Sequence, residues 1–286
     1  MPNRLIAGCM SWGQWGQQWS TAQMAQAIAD CLDVGIHRFD HAAIYGGYTT
    51  EAEFGAAFAA GGFDRSKVEL ISKCGIQYVS DNSPYTIKHY DYSAVEIRRS
   101  TEQSLRNLRT DYLDVLLLHR PSPLLDPSEV ADTLGQLMAE GKVKKIGVSN
   151  FTPSQIELLQ ARIPLAFHQL EVSITHSAPM TQGDLDSCLR WNIHPMAWRP
   201  LGQYFKSDDP QVQRLKAVVP PMAEQYGLTE DALLIAWLLL HPAGIQPVLG
   251  TTQKSRWQAA VQATQRSWKL EDWFALWVAA LGHKVP

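Results

Sequence analysis

The sequence predicts an α/β protein of the (β/α)8 TIM-barrel type, folded as a single domain over residues 1–286. Strand-like and helix-like segments alternate about eight times, an order typical of a parallel sheet. The length suits eight such units, and no change in composition marks a domain boundary. Several strands end on a polar residue, and barrels of this type collect their active sites at the C-terminal ends of the strands.

Short apolar runs bounded by loop residues are predicted as strands. They cover residues 4–8, 35–40, 68–73, 113–119, 143–148, 166–172, 194–198 and 245–249. An open doubly wound sheet is the less favoured alternative, because no G-x-G-x-x-G fingerprint follows an early strand.

The helices are predicted from apolar residues at helical spacing and from start signals such as Ser20 or Thr21, Pro153 and Thr229. They cover about 21–32, 51–60, 93–109, 127–140, a stretch from 153 onward, 181–191, 210–240, 253–264 and 271–281. The long helical region 210–240 is expected to break near Gly227.

The composition limits the kinds of partner and compartment. The formal net charge of −3 favours neither nucleic acid nor a membrane surface. No apolar stretch reaches the roughly 18 residues of a spanning helix, and the chain does not open on a signal-like segment. The four cysteines lack CxxC spacing, so we expect free thiols in a reducing cytoplasm rather than disulfides or a zinc site.

The stretch FDHAAIYG, residues 39–46, places a carboxylate at a strand end and a tyrosine on the following loop. Two later strands end on Lys73 and on His119. Because the C-terminal ends of parallel strands meet at one edge, we expect Asp40, Tyr45, Lys73 and His119 to share a crevice. A lysine beside Tyr45 would lower the pKa of the phenol from its usual value of about 10.

These motifs and their order resemble those of the aldo-keto reductases, in particular a bacterial branch of general oxidoreductases. The resemblance extends over nearly the whole chain and includes FDHAAIYG, LISKCG, LLLHRP, GKVKKIGVSNF and GTTQKSR. It implies an NADPH-dependent enzyme, usually monomeric in this family, that reduces a small aldehyde or ketone to an alcohol.

The resemblance also implies a catalytic tetrad. Tyr45 would donate a proton to the carbonyl oxygen as general acid, and Lys73 would stabilise the tyrosinate that remains. Asp40 would pair with Lys73 and hold it in place. His119 would donate a hydrogen bond to the carbonyl, so that Tyr45 and His119 both contact the substrate.

Binding residues for NADPH/NADP+ follow from the same resemblance. Ser149, Asn150 and Gln169 would hold the nicotinamide amide, and Trp198 would stack on the nicotinamide ring. The other implied cofactor-binding residues are Arg199, Leu201, Gly202, Gly250, Thr251 and Arg256.

Two of these positions concern the charged parts of the cofactor. Arg199 replaces the small residue usual after the stacking aromatic and is expected to add positive charge near the pyrophosphate. Arg256 stands at the arginine position of the segment that receives the adenosine phosphate. Ala259 and Ala260 depart from the Glu-Asn pair with which many relatives contact adenine.

Four further residues near the crevice are assigned on weaker sequence patterns. Trp12, in the first loop, is predicted as an apolar wall of the substrate pocket, and Arg120 as part of its rim. His41 should point to the opposite face of its strand from Asp40 and be structural. Tyr48 is a rival acid, but Gly46 and the glycine after it are expected to turn the chain away.

Two other functions compete with carbonyl reduction. One is a metal-dependent hydrolase using Asp40, His41 and His119, which the nearby Lys73 disfavours. The other is a cofactor-binding, redox-sensing or regulatory barrel with little turnover.

Overall fold

Eight parallel strands close into a barrel in the computed structural model of the chain, which describes residues 4–285. This confirms the predicted fold class. In chain order the strands are β1 Ile6–Gly8, β2 Arg38–Asp40, β3 Glu69–Cys74, β4 Ile76–Gln77, β5 His89–Tyr90, β6 Leu113–Leu118, β7 Val143–Ser149, β8 Leu165–Glu171, β9 His194–Trp198 and β10 Gln246–Leu249.

The barrel is closed by β1, which pairs in parallel with both β2 and β10. Ala7 is in register with Phe39 on one side and with Leu249 on the other. Around the barrel the strand order is β1-β10-β9-β8-β7-β6-β3-β2. As a result, β6 and β10 lie on opposite sides of the barrel, with three strands between them in either direction.

Helices surround the barrel in the alternation that the sequence predicts. They are α1 Thr21–Asp33, α2 Thr50–Ala60, α3 Ala94–Leu108, α4 Pro127–Ala139, α5 Pro153–Gln160, α6 Asp184–Trp191, α7 Pro210–Tyr226, α8 Glu230–Leu239, α9 Lys254–Ala263 and α10 Leu270–Leu281. The break predicted near Gly227 separates α7 from α8, and this glycine takes a left-handed conformation with φ 63°. None of the helices within residues 4–285 is both long and apolar enough to cross a membrane.

Three local features differ from the prediction. The second strand begins at Arg38 rather than at Gly35, which has φ 82° and belongs to the preceding turn. Helix α6 begins at Asp184, after a short 3-10 turn at Ala178–Met180 and a left-handed Gly183. The polar segment after Lys73 contains the antiparallel hairpin β4–β5. Its strands are two residues long, which is too short to produce a readable periodicity.

An apolar layer in the barrel interior lies below the polar residues at the C-terminal ends of the strands. Its members are Ile6, Ile71, Val115, Leu117, Phe167, Met196 and Val248. Side chains two residues apart on a strand share a face. Lys73 therefore follows Ile71 on the inner face, just as Gln169 follows Phe167. The same alternation brings His119 and Trp198 above the layer at the C-terminal ends of their strands.

Candidate active site

A buried lysine joins the aspartate and the tyrosine of the FDHAAIYG stretch. Lys73 Nζ donates to Asp40 Oδ2 at 2.8 Å, to the Tyr45 hydroxyl oxygen at 3.0 Å and to the His41 carbonyl oxygen at 2.7 Å. These three bonds use all three N–H groups of the ammonium. Lys73 is 1% exposed, so its position is determined by these partners and not by solvent.

His119 lies on the other side of Tyr45. The two rings meet edge to face, with their centroids 6.3 Å apart. His119 follows β6, and its N–H donates to the Cys74 carbonyl oxygen at the end of β3. The structure thus brings the four predicted catalytic residues together at the C-terminal ends of neighbouring strands.

Tyr45 is directed into this site by the turn that follows it. Gly46 and Gly47 both have positive φ, 61° and 64°, which side chains with a Cβ rarely adopt. A Cβ on Gly46 would also collide with the Thr50 hydroxyl. After the turn, the Tyr48 hydroxyl accepts from the Tyr78 N–H at 2.7 Å and donates to the Tyr78 carbonyl oxygen at 3.2 Å. Tyr48 is therefore engaged elsewhere.

His41 occupies the opposite face of the strand end, as the alternation predicts. Its ring packs against Phe54 of α2 with a centroid separation of 4.4 Å. Burial lowers the pKa of His41 to about 3, with a further contribution from the charge of Lys73. The His41 ring thus lies against α2 and not in the crevice with Tyr45 and Lys73. No group of three metal-ligating side chains occurs among residues 4–285.

The pKa of Tyr45 differs from the expectation. Burial raises it above its usual value, and this effect outweighs the opposing charge of Lys73, which the carboxylate of Asp40 partly compensates. Lys73 lowers the pKa of Tyr45, as expected, but burial raises that pKa by more. Burial pushes the pKa of Lys73 down, yet Asp40 and Tyr45 more than compensate and raise it. Tyr45 is thus a protonated phenol beside the ammonium of Lys73.

His119 is a neutral imidazole. Burial and the positive charges of Lys73, Arg120 and Lys88 lower its pKa well below the usual 6.5. Neither ring nitrogen has a hydrogen-bond partner within residues 4–285. A neutral imidazole can donate only one N–H, so His119 is suited to hydrogen bonding rather than to carrying charge.

Two amide side chains with fixed orientations lie beside the tetrad. Gln169 Nε2 donates to Asp40 Oδ1 at 2.7 Å, which leaves its Oε1 as a free acceptor. Asn150 Oδ1 accepts from Trp198 Nε1 at 2.9 Å and from the Ser149 hydroxyl at 3.2 Å, which leaves its Nδ2 as a free donor. A carboxylate only accepts and an indole N–H only donates, so both orientations follow from the partners.

Ser149 does not offer a free hydroxyl. Its oxygen accepts from Arg120 Nη1 at 3.0 Å, while its proton goes to Asn150. The Ser149 side chain is completely buried. Its hydroxyl thus links Arg120 to Asn150. The contact of Ser149 with the nicotinamide amide stays a prediction.

The β10–α9 segment provides a second polar region. Helix α9 begins without a side-chain cap and without an acidic residue in its first turn, so its N-terminal N–H groups are available to an anion. Thr251 Oγ1 accepts from the Gln253 N–H at 3.2 Å, on the loop that follows Gly250. The Arg256 side chain is 57% exposed and lies 3.9 Å from Asp231. Lys254 is paired with two aspartates of α1, at 2.8 and 3.1 Å.

The loop after Trp198 is held in a strained conformation. Arg199 has φ 50°, and its guanidinium lies 3.5 Å from a carboxylate oxygen of Glu171, which compensates part of its charge. Gly202 has φ 53°, and a Cβ there would collide with the hydroxyls of two residues, 173 and 175. Leu201 is half-buried between these two positions.

Trp12 does not line the cleft. It is completely buried among aromatic rings, including Phe39 and Phe54, each 6.0 Å away between centroids. Trp15 reaches the site instead: its ring lies 6.2 Å from that of Tyr45, and 39% of it is exposed. The first loop contains tryptophans at both positions, and no local pattern indicates which of them turns inward.

A parallel eight-stranded barrel with a polar site at its C-terminal end places the chain among the (β/α)8-barrel enzymes. A sequence profile of the Aldo/keto reductase family matches residues 4–276. The chain belongs to this family.

Individual relatives agree with this assignment. The uncharacterized oxidoreductase YcsN of Bacillus subtilis is 39% identical over 290 aligned positions, which cover 99% of this chain and 96% of that relative. A 6-dehydroglucose reductase of Agrobacterium fabrum is 40% identical over 271 residues, which cover 93% of this chain and 90% of that relative. An aldo/keto reductase from Klebsiella pneumoniae, crystallised with NADP and acetate, has a TM-score of 0.79 and 25% identity, covering 96% of this chain and 89% of that one.

Proposed function

We propose that the protein reduces aldehydes or ketones to alcohols, with NADPH as cofactor and Tyr45 as general acid. NADPH supplies the hydride when bound, and the protein supplies orientation and a proton. The observation that carries the proposal is the 3.0 Å hydrogen bond from Lys73 Nζ to the Tyr45 hydroxyl oxygen.

This hydrogen bond determines where the proton of Tyr45 can go. The hydroxyl oxygen already accepts from Lys73, so the phenolic proton is left for an acceptor in the cleft, such as a substrate carbonyl oxygen. Once the proton has left, the ammonium of Lys73 stabilises the tyrosinate. Asp40 keeps the ammonium in place through its 2.8 Å bond.

His119 completes the site for the carbonyl oxygen. Its depressed pKa keeps the ring neutral, and one N–H is available for a hydrogen bond. A carbonyl oxygen positioned between His119 and Tyr45 would accept from both. Two donors aimed at one oxygen stabilise the negative charge that develops there during reduction.

The two oriented amides fit the carboxamide of nicotinamide. A primary carboxamide has one acceptor oxygen and an NH2 donor. The free Nδ2 of Asn150 would donate to that oxygen, and the free Oε1 of Gln169 would accept from that NH2. Trp198, held by its bond to Asn150, would pack against the ring.

The start of α9 is suited to the phosphate that distinguishes NADPH from NADH. Its uncapped N–H groups and the exposed guanidinium of Arg256 are the kinds of donor that bind phosphate. The Klebsiella relative carries NADP and the Agrobacterium relative is named as a reductase, and both names support this reading. Free cysteines, all buried, fit the cytoplasmic enzyme that we also propose, and we expect it to be monomeric.

Turnover separates the proposal from its alternative, a redox-sensing barrel that binds cofactor with little chemistry. We expect purified protein to oxidise NADPH in the presence of simple aldehydes, measured by loss of cofactor absorbance. NADPH binding without turnover across an aldehyde panel would favour the regulatory alternative. Failure to bind NADPH would contradict both.

A further inference from the structure

Arg120 is a cationic side chain of the site that has no carboxylate partner within residues 4–285. It directly follows His119, and its Nη1 donates to the His119 carbonyl oxygen at 2.7 Å and to the Ser149 hydroxyl at 3.0 Å. Both acceptors are neutral. Its guanidinium carbon lies 5.7 Å from the centre of the Trp198 ring. Within residues 4–285 the side chain makes no ion pair, although it is half-buried.

The geometry leaves one edge of this guanidinium unused. Both hydrogen bonds leave from Nη1, so the Nε–Nη2 edge has no acceptor among the described residues. That edge presents two parallel N–H groups, the arrangement that binds a carboxylate through two hydrogen bonds. The backbone of Arg120 is fixed as well, because the Tyr92 hydroxyl accepts from its N–H and donates to its carbonyl oxygen.

The adenosine phosphate of the cofactor is not the natural partner of this charge. Arg120 follows β6, whereas the candidate phosphate site follows β10, on the opposite side of the barrel. Other charges near Arg120 do not compensate it either. Asp40, the carboxylate of the tetrad, is already paired with Lys73, and Lys88 adds a further positive charge that acts on His119.

We propose that Arg120 binds a carboxylate on the substrate, so that the preferred substrates are short carbonyl compounds with a carboxylate group. The inference rests on the proposed carbonyl reduction and narrows its substrate class. The carbonyl would lie between Tyr45 and His119, with the carboxylate on the free edge of the neighbouring Arg120. The half-exposed ring of Trp15 offers an apolar wall for the carbon chain.

A pair of aldehydes that differ only in the carboxylate tests the proposal. We expect succinic semialdehyde to have a higher kcat/KM than butanal at saturating NADPH. The preference should fall by about 10- to 150-fold in Arg120→Gln, the range for loss of a charge-assisted hydrogen bond, and recover in part in Arg120→Lys. The ratio of the two substrates cancels any change in cofactor affinity that acts through Ser149.

Arg162→Gln is the matched control. Arg162 also donates to a carbonyl oxygen and a serine hydroxyl, those of Leu158 and Ser128, but it precedes β8 at the opposite end of the barrel. We expect this variant to keep the wild-type preference. Measurable reduction of both aldehydes with equal kcat/KM in the wild type, or a preference that survives in Arg120→Gln, would overturn the inference. A stronger preference for neutral glyceraldehyde that depends on Arg120 would also overturn it, in favour of hydroxyl recognition.

A binding measurement separates this inference from the proposed function. Propionate and propionamide have similar shapes and differ in charge, and their binding can be followed by tryptophan fluorescence. We expect propionate to bind more tightly in the wild type and to lose this advantage in Arg120→Gln. If no aldehyde is reduced but this difference is found, the carbonyl reduction fails and the carboxylate site stands. If propionate binds no better than propionamide, the carboxylate site is wrong whatever the turnover.

Discussion

Lys73 Nζ lies 3.0 Å from the Tyr45 hydroxyl oxygen and donates a hydrogen bond to it in a buried site. The lysine remains cationic because Asp40 raises its pKa against the effect of burial. The phenol remains protonated because burial raises its pKa. A protonated donor with a fixed positive charge beside it is suited to giving a proton to a carbonyl oxygen.

Tyr45→Phe should abolish most carbonyl reduction. The substitution removes the hydroxyl and keeps the ring, and loss of a positioned general acid costs about 10² to 10⁴ in rate. Lys73 retains its bonds to Asp40 and to the His41 carbonyl, so the fold should persist. NADPH affinity, measured by fluorescence titration, should change little. A variant that keeps more than a tenth of the wild-type rate on a good aldehyde would show that another group is the acid.

Lys73→Met should be equally damaging and should shift the alkaline limb of any remaining pH–rate profile to higher pH. Without the ammonium, the tyrosinate formed after proton transfer has no cation to stabilise it. The variant also leaves the carboxylate of Asp40 buried without its partner, at a cost of about 3–5 kcal/mol in stability. The double variant with Asp40→Asn is the control, since it should recover stability and not activity. An active Lys73→Met enzyme with an unchanged pH profile would contradict this role.

Asn150→Asp should weaken binding of the cofactor. The new carboxylate can still accept from Trp198 and Ser149, but it replaces the free NH2 group with an acceptor that faces the carboxamide oxygen. Loss of one hydrogen bond and the new repulsion should lower NADPH affinity by about tenfold or more. Fluorescence titration measures the effect, with Asn150→Ala as the control that loses the donor without repulsion. Equal affinity in the aspartate variant and the wild type would exclude contact with the carboxamide.

Arg256→Ala should weaken NADPH binding by about 10- to 150-fold and leave NADH binding almost unchanged. The side chain is largely exposed at the start of α9, and its only ion-pair partner in the described chain is distant, at 3.9 Å. Lys254→Ala is the matched control, because Lys254 is already occupied by Asp30 and Asp33. Equal losses for both cofactors in Arg256→Ala would mean that the residue supports the loop instead of binding the phosphate.

Buried histidines should make the fold sensitive to acid. Burial lowers the pKa of His168 to about 4 from the usual 6.5, so between these values the unfolded chain binds a proton that the folded chain excludes. This contribution to stability is complete above pH 6.5 and is lost as the pH falls toward 4. At pH 5 the loss is about 2 kcal/mol relative to pH 7. Denaturant unfolding at pH 7 and at pH 5 measures the effect. Between these two values His168→Asn should lose about 2 kcal/mol less unfolding free energy than the wild type. The same loss in the variant and the wild type would contradict this role of His168.

The alternation of residues along each strand is enough by itself to determine much of the site. Lys73 and Gln169 lie two residues beyond interior apolar positions, so a closed barrel directs both to the same end. The same rule separates His41 from Asp40. The face on which a strand residue lies depends only on its position along that strand. Closure of the barrel then brings the C-terminal ends of the strands together.

The orientation of side chains in loops and the pKa values of buried groups depended on the tertiary structure. Trp12 and Trp15 occur in the same loop, but packing against Phe39 and Phe54 buried the first and left the second beside Tyr45. The direction of the pKa shift of Tyr45 could not be predicted from the sequence either, because it is a balance between burial and charges on separate strands. The contact between Arg120 and Ser149 joins residues 29 positions apart, across two neighbouring strand ends. Orientation in a loop and the environment of a charge are set by contacts distant in sequence, and only the folded chain brings those contacts together.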